Sequence, residues 1–370
     1  MDIHTISKER LTEAKSLFAE AFDTDSQQYI DFFFSRKYQE EDSFGLFLDS
    51  DELAAMLYML DYHTVLRGAD FPVKFIVGVS TAKKHRYSGY AKKLMCHAFQ
   101  WLRAEGIAVN LLHPFKHEFY EKLGYQTYSY VKKYRLSGFS HQDQTISIKT
   151  VRNMEQANVA ELVSCYHTNM QGVSGYIVRD EKAFGLRLAE MFVDGGILLE
   201  VYDTNQKLIG YSMGFLEPQQ FAAMETVFTS PLAIYALVNE VNQNLSLDYS
   251  FFIPDYQSID LPGYLGVFPY GMARVVHPKL LLENLRLGRG KLTIQLKDEH
   301  IPQNNRLFQL ISDGKKTKVH LLDREWYEGD IHTLTVRELA SLAFGHENSQ
   351  QNEELQKLFP VQKTAIFETY

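Results

Sequence analysis

Residues 75 to 91, FIVGVSTAKKHRYSGYA, pass from an apolar run into a basic, glycine-containing turn and then into a helical repeat. Phe75, Ile76, Val77 and Val79 favour a β-strand, and Gly78 within the run marks a bulge or a close backbone approach. Beyond the turn, Ala91, Leu94, Met95, Ala98 and Leu102 recur at helical spacing, and Gly106 is placed to end the helix. Free amides at such a helix start, with Lys83, Lys84 and Arg86 beside them, suit a pyrophosphate. Arg86 to Ala91 reads as Arg-x-x-Gly-x-Ala, a pattern that about one chain in ten of this length carries by chance. Its context is more specific. A second strand at Ala108 to Leu112 follows the helix, and then comes Phe119-Tyr120-Glu121-Lys122-Leu123-Gly124-Tyr125.

The chain of 370 residues is long enough for two or three domains with cores of their own. Its net charge of −8 argues against a nucleic-acid binder and is compatible with a cationic substrate. The two cysteines, Cys96 and Cys165, are far apart and lack metal-ligand spacing, so neither a disulfide framework nor a metal site is expected. The amino-terminal stretch is charged throughout and has no signal-peptide core, and no apolar run approaches the ~20 residues that span a bilayer. A soluble, cytoplasmic protein with no membrane partner is the expectation.

A helix at about Lys8 to Phe22 precedes an aromatic helix near Tyr29 to Tyr38 and strands at Phe44 to Leu48 and Leu53 to Tyr62. With the cofactor strand, its helix and a closing tyrosine-rich strand from Thr127 to Leu136, these make a first unit, 1–140, and a polar linker runs from Ser137 to Gln144. A second unit, 146–285, repeats the order, with helices at Met154 to Asn169 and Lys182 to Phe192 and strands at Ile197 to Tyr202 and Leu208 to Phe215. Met224 to Phe228 takes the place of the cofactor strand, and Leu232 to Leu245 that of the phosphate helix. Between them lies only Thr229-Ser230-Pro231, with no Arg-x-x-Gly and no basic turn. The third unit, 286–370, opens on the alternating strand Gly290 to Leu296, continues through Leu307 to Ile311 and a hairpin at Asp313-Gly314, and places a capping box at Thr335 and Glu338 before the helix Val336 to Phe344.

The run of strand, phosphate turn, helix and strand ending in Phe119 to Tyr125 resembles the acetyl-CoA-binding core of the GNAT N-acetyltransferases. Over the whole chain, the arrangement resembles the Eis (enhanced intracellular survival) family of bacterial acetyltransferases. That resemblance implies an α+β chain of two tandem GNAT folds, the second degenerate and without cofactor, followed by a domain resembling sterol carrier protein. It implies acetyl-CoA as co-substrate, no metal, a small-molecule amine such as an aminoglycoside as acceptor, and a homo-oligomer, in this family a hexamer. Carried over residue by residue, the cofactor contacts fall on Val79, Ser80 and Thr81 and on Arg86, Tyr87, Ser88, Gly89, Tyr90, Ala91 and Lys92. The general acid falls on Tyr120 and the general base on the carboxylate of the last residue, Tyr370. The family often has Arg or Gly where Tyr87 and Ser88 stand, so Lys83 and Lys84 are expected to compensate for lost charge, and Phe115 to pack against the cofactor.

Acyl transfer to an amine requires a base, because alkyl amines with pKa ~10 are protonated at pH 7. It requires a donor for the oxyanion, such as the Val79 amide, and a proton for the departing thiolate, which a phenol supplies. His113 is the rival base. Asp25, Phe32, Phe33 and Glu368 are the acceptor-side candidates, an acidic and aromatic cleft for a polyamine, an aminosugar or a lysine. Two other functions fit the same residues: a non-catalytic acyl-CoA-binding regulatory protein, since one cofactor site has already decayed, and a lipid-binding protein, suggested by the third unit.

Overall fold

The computed structural model describes residues 1–140, 145–346 and 352–369. A short strand β1 (Asp2–His4) leads into helices α1 (Leu11–Ala21) and α2 (Gln27–Arg36), and then into β2 (Ser43–Phe47). Next comes a long hairpin of β3 (Leu53–Leu66) and β4 (Ala69–Thr81), turned by Arg67 and Gly68, both at positive φ. Two successive positive φ values match the right-handed twist of the paired strands. The sequence reading began the cofactor strand at Phe75; the structure extends it six residues earlier, because Phe71 and Val73 continue the alternation that Pro72 obscures. Helix α3 (Tyr90–Ala104), β5 (Val109–Leu112), the single turn α4 (His117–Glu121) and β6 (Gln126–Thr127) follow.

The expected closing strand from Thr127 to Leu136 is divided. β6 stays on the first sheet, whereas β7 (Tyr130–Leu136) crosses to the second. The second half supplies β8 (Ser147–Val151), α5 (Val159–Asn169), the two-residue β9 (Val173–Ser174), α6 (Glu181–Val193) and β10 (Ile197–Tyr202). It continues with β11 (Leu208–Leu216), β12 (Gln220–Phe228), α7 (Pro231–Asn239), β13 (Asp248–Pro254), β14 (Tyr264–Pro269) and β15 (Met272–Val275). The first sheet runs β1-β2-β3-β4-β5-β15-β6, and the second, read in the same sense, runs β8-β10-β11-β12-β13-β7-β14. The two orders correspond strand for strand. In each, the sixth place is filled by a strand from the other half of the chain: β15 lies antiparallel between β5 and β6, and β7 lies antiparallel between β13 and β14.

After α8 (Pro278–Asn284), the third unit is a four-stranded sheet of order β18-β17-β16-β19, from β16 (Gly290–Lys297), β17 (Leu307–Ser312), β18 (Thr317–Leu322) and β19 (His332–Thr335). Helix α9 (Val336–Phe344) starts with the capping box expected of Thr335 and Glu338 and ends at Gly345. After α10 (Glu353–Leu358), β20 (Lys363–Thr364) pairs in parallel with β9, so the chain's end is threaded into the second unit. Arg67, at the tip of the first unit's hairpin, donates to the carbonyls of Leu342 (2.6 Å) and Ala343 (3.0 Å), terminal acceptors of α9. Among the described residues no helix is long and apolar enough to cross a membrane.

Strand exchange makes the two large sheets interdependent. Residues 1–140 alone contain β7 without its neighbours and lack β15, which leaves β5 with an open edge beside apolar Leu111 and Leu112. That stretch expressed by itself is expected to aggregate or to show no cooperative thermal transition by circular dichroism. A monomeric fragment that melts cooperatively would refute the interdependence.

Candidate active site

β4 and β5 are hydrogen-bonded only from Lys74 to Ile76 against Asn110 to Leu112. Beyond Ile76 the two parallel strands part, and a cleft opens between Val77 to Thr81 and the segment after Leu112. On its other edge β4 bulges: Met56 faces Ser80 and Tyr58 faces Val77, so Gly78 and Val79 together oppose Leu57. Gly78 has φ +62°, and a Cβ there would lie 3.0 Å from Phe18 and 3.1 Å from Tyr58. A side chain there would be strained by the positive φ and crowded by both rings, which favours glycine, and the bulge re-aims Val79 toward the cleft. Helix α1 covers one face of β3 and β4, and α3 the other.

The turn into α3 is built for an anion. Tyr87 and Gly89 both take positive φ, at 69° and 76°. Gly89 is the N-cap and brings no side chain to the helix start, and the first turn of α3 contains no acidic residue. The leading amides of α3 therefore retain their donor capacity and the positive end of the helix dipole. A cavity of about 670 Å³ collects the end of β4 (Val79, Ser80, Thr81), the turn (Arg86, Tyr87) and the helix start (Gly89, Tyr90, Ala91, Lys92). Ser88, the remaining expected contact, is not on its wall. His85, Ala21 and Phe22 are, and the sequence reading had not singled them out. Lys83 and Lys84 do not compensate as expected: Lys84 pairs with Glu52 at 2.7 Å, and neither lines the cavity. Phe115, largely exposed, and Phe119 close the cavity on the side of β5. Amides and cations at one end and aromatic rings at the other fit the pyrophosphate and the pantetheine arm of an acyl-CoA.

Tyr120 lies one layer behind those rings, with its centroid 5.6 Å from Phe115 and 5.0 Å from Phe119. Burial pushes its phenol well above the ordinary value, so it is protonated at neutral pH and able to donate. His113 follows β5 and rests edge-on against Tyr270 at 4.7 Å. Desolvation, with smaller contributions from His117 and Lys133, lowers it to about 4. The imidazole is then neutral at pH 7 but only weakly basic.

Tyr370 lies outside the described residues. The segment before it approaches the same place: Ile366 packs over Gly271, and Thr369 lies beside Tyr270, the ring against His113. The acceptor-side residues divide. Phe33 does not wall a cleft; it is buried against Phe18, Phe34 and Tyr58, because Ile30, Phe33 and Phe34 form the inner face of α2. Phe32 is half-buried and outside that face. Asp25 is half-buried, and desolvation and the nearby Asp194 carboxylate raise its pKa. Glu368 is not a free acid. It is buried, ion-paired with Arg179 at 2.7 Å, and lines a cavity of about 390 Å³ with Lys37, Tyr62, Asp180 and Arg187.

The α7 start, the counterpart of α3, lacks the anion-binding features. Pro231 has no N–H there, and the Ser230 hydroxyl accepts from the Leu232 amide.

Two outcomes follow from this geometry. Gly78→Ala is expected to weaken acyl-CoA binding at least tenfold in a calorimetric titration, through positive φ and contact with Phe18 and Tyr58; unchanged affinity would contradict the bulge's role. His113 takes up its proton near pH 6.5 when unfolded and near 4 when folded, so the unfolded chain binds more protons between those values. Stability is therefore lost as pH falls through this window, on the order of 3 kcal/mol when complete. Urea unfolding at pH 7 and pH 4.5 should show a smaller acid loss for His113→Gln than for the parent chain, and equal losses would rule it out.

Residues 2–128 match the family model of the acetyltransferase (GNAT) domain, and residues 279–367 match that of the sterol carrier protein domain. No curated protein sequence matches the chain significantly. Solved structures similar over its full length include a conserved protein of unknown function from Enterococcus faecalis V583, with TM-score 0.83, 16% identity and 99% of that chain covered. A GCN5-related N-acetyltransferase from Anabaena variabilis has TM-score 0.80, and Eis1 from Mycobacterium abscessus 0.74, each at 16% identity and each covered completely. At this identity they show the shared fold. The chain thus carries a GNAT acetyltransferase domain at its amino-terminal end and a sterol carrier protein domain near its carboxyl-terminal end, and it is an acyltransferase.

Proposed function

We propose that the protein is an N-acetyltransferase of the Eis type that moves the acetyl group of acetyl-CoA directly to a primary amine. The acceptor is a cationic small molecule, aminoglycoside-like or a polyamine, or a lysine side chain. The observation that carries this reading is the cavity between the bulged end of β4 and the uncapped start of α3, with Tyr120 behind its aromatic end.

Acetyl-CoA supplies an activated thioester. The chain's own groups account for the rest. The Val79 amide, re-aimed by the bulge, is the candidate donor to the developing oxyanion. Tyr120 remains protonated and stands ready for the departing thiolate; desolvation that raises the phenol also raises the basicity of a thiolate in the same dry pocket. The Tyr370 carboxylate takes the proton of the attacking amine, directly or through water. His113 is the poorer base because burial has already lowered its affinity for a proton. On the acceptor side, Asp25 and Asp194 are like charges held near each other at the α1–α2 connection and the end of α6. A cationic group between them would relieve their repulsion, which supports a charged amine.

Self-association to a hexamer is part of the same proposal. It is supported by β14, the free edge of the second sheet, where Tyr264, Leu265, Val267 and Phe268 are exposed within five residues.

The deciding experiment is thiol release from acetyl-CoA with a panel of aminoglycosides, polyamines and lysine peptides. Turnover is expected with at least one acceptor. Tyr120→Phe and deletion of Tyr370 should each lower kcat at least a hundredfold while leaving acetyl-CoA affinity within about twofold. Tight acetyl-CoA binding with no release for any amine would favour a regulatory acyl-CoA-binding protein instead.

A further inference from the structure

Tyr87 combines a strained backbone with an unburied ring. Its φ is +69°, in the left-handed region that glycine enters freely and a residue with a bulky side chain enters against steric resistance. Its ring is fully exposed, at 105%, so both apolar faces stand in water. The chain is tied on either side of it: the Arg86 amide donates to the Lys83 carbonyl and the Ser88 amide to the His85 carbonyl, both at 3.4 Å, and the Lys93 amide to the Gly89 carbonyl at 3.1 Å. The strain is therefore imposed by the turn, and strain held in this way is found at ligand clamps.

Position narrows the ligand. Among the described residues, three Phe, Tyr or Trp side chains are more than two-thirds exposed: Tyr87, Phe115 and Trp326. The first two line the cavity at the start of α3, Tyr87 on the turn and Phe115 on the side of β5. A thioester bound there has to reach Val79 and Tyr120, so the pantetheine arm runs along β4 past Phe115 and Phe119. The pyrophosphate belongs at the leading amides of α3, with Arg86 and Lys92 on the same wall. An acyl-CoA so placed carries its adenosine outward from the turn, to the end where Tyr87 stands. Adenine is uncharged and flat, and a flat ring on its face is what holds such a base without regard to its edges.

We propose that Tyr87 is the adenine-recognition residue of this site: its ring, presented by the positive φ, stacks on the base of the acyl-CoA and sets affinity for the nucleotide half of the molecule. This rests on the reading of the cavity as an acyl-CoA site. In this role Tyr87 takes no part in acyl transfer.

The test is calorimetric titration of the full chain with acetyl-CoA and with S-acetyl-phosphopantetheine, which carries the same thioester and arm but no adenosine. Tyr87→Gly and Tyr87→Asn both accept a positive φ, so each is expected to keep the thermal midpoint of the parent chain. Each should weaken acetyl-CoA binding at least roughly fivefold, the lower end of what removing one base–aromatic stack produces, and leave S-acetyl-phosphopantetheine binding within about twofold. Tyr87→Phe keeps the ring and should bind acetyl-CoA as the parent does. The fluorescence of etheno-CoA, whose modified adenine reports stacking, should be quenched by the parent and by Tyr87→Phe, and less by Tyr87→Gly. Unchanged acetyl-CoA affinity in the folded Gly and Asn variants would overturn the proposal, as would equal losses for the two ligands, the mark of a ring that serves the turn or the pantetheine arm. Failure of the parent chain to bind acetyl-CoA would remove the acyl-CoA reading of the cavity itself and this proposal with it.

Discussion

Each of the two large sheets is completed by a strand that the other half of the chain provides, and the site is built on that exchange. β15 lies beside β5, so the residues leading into it, Tyr270 and Gly271, stand at the end of β5 next to His113. Gly271 accepts from the amides of Tyr128 and Ser129 and gives Ile366 room to pass. The exchange thus makes the corner into which the chain's end is threaded. Without β15, β5 would lose its edge partner and the first unit would lose the wall that receives the tail.

The two halves use one topology for different work. Both fifth strands run parallel to the fourth over three residues and then part, and both fourth strands carry a bulge. In the first half the bulge is Gly78-Val79 beside an uncapped helix with free amides. In the second it is Met224, followed by Glu225, and the helix opens with Ser230 and Pro231. A buried carboxylate at that position repels a thioester oxyanion and attracts arginine. The same sheet that in one half can hold an anionic ligand in the other holds two guanidinium groups, those of Arg179 and Arg187. Removing one partner of such a cluster would strand a buried charge, at a cost of about 3–5 kcal/mol. A unit without an anion-binding turn can therefore still hold the last described residues of the chain in place.

Local signals were legible wherever they arise from neighbouring residues. The alternation around Phe75, the helical repeat from Ala91 to Leu102 and the capping box at Thr335 and Glu338 produced the elements expected of them, because backbone geometry within a few residues decides them. Phe32-Phe33-Phe34 was misleading, since three adjacent rings on a helix face different directions and only packing against Phe18 and Tyr58 selects the inner pair. Thr127 to Leu136 read as one strand because its β-favouring residues continue through the crossing, and nothing local reveals that Tyr128 and Ser129 turn toward Gly271. Glu368 read as a free acid because its partner, Arg179, is 189 positions away.

The sequence by itself determined the strand, phosphate turn and helix of the cofactor cleft, the repeated order of the two halves and the loss of the anion turn in the second. These follow from periodicity, from the amide donors a glycine-capped helix leaves free, and from the substitution of Ser230 and Pro231 for a basic turn. Only the tertiary structure decided which strand completes which sheet, which acids are already paired, and where the carboxyl end is led. Those outcomes depend on contacts between residues more than a hundred positions apart, and burial fixes them by forcing each charge to find its partner.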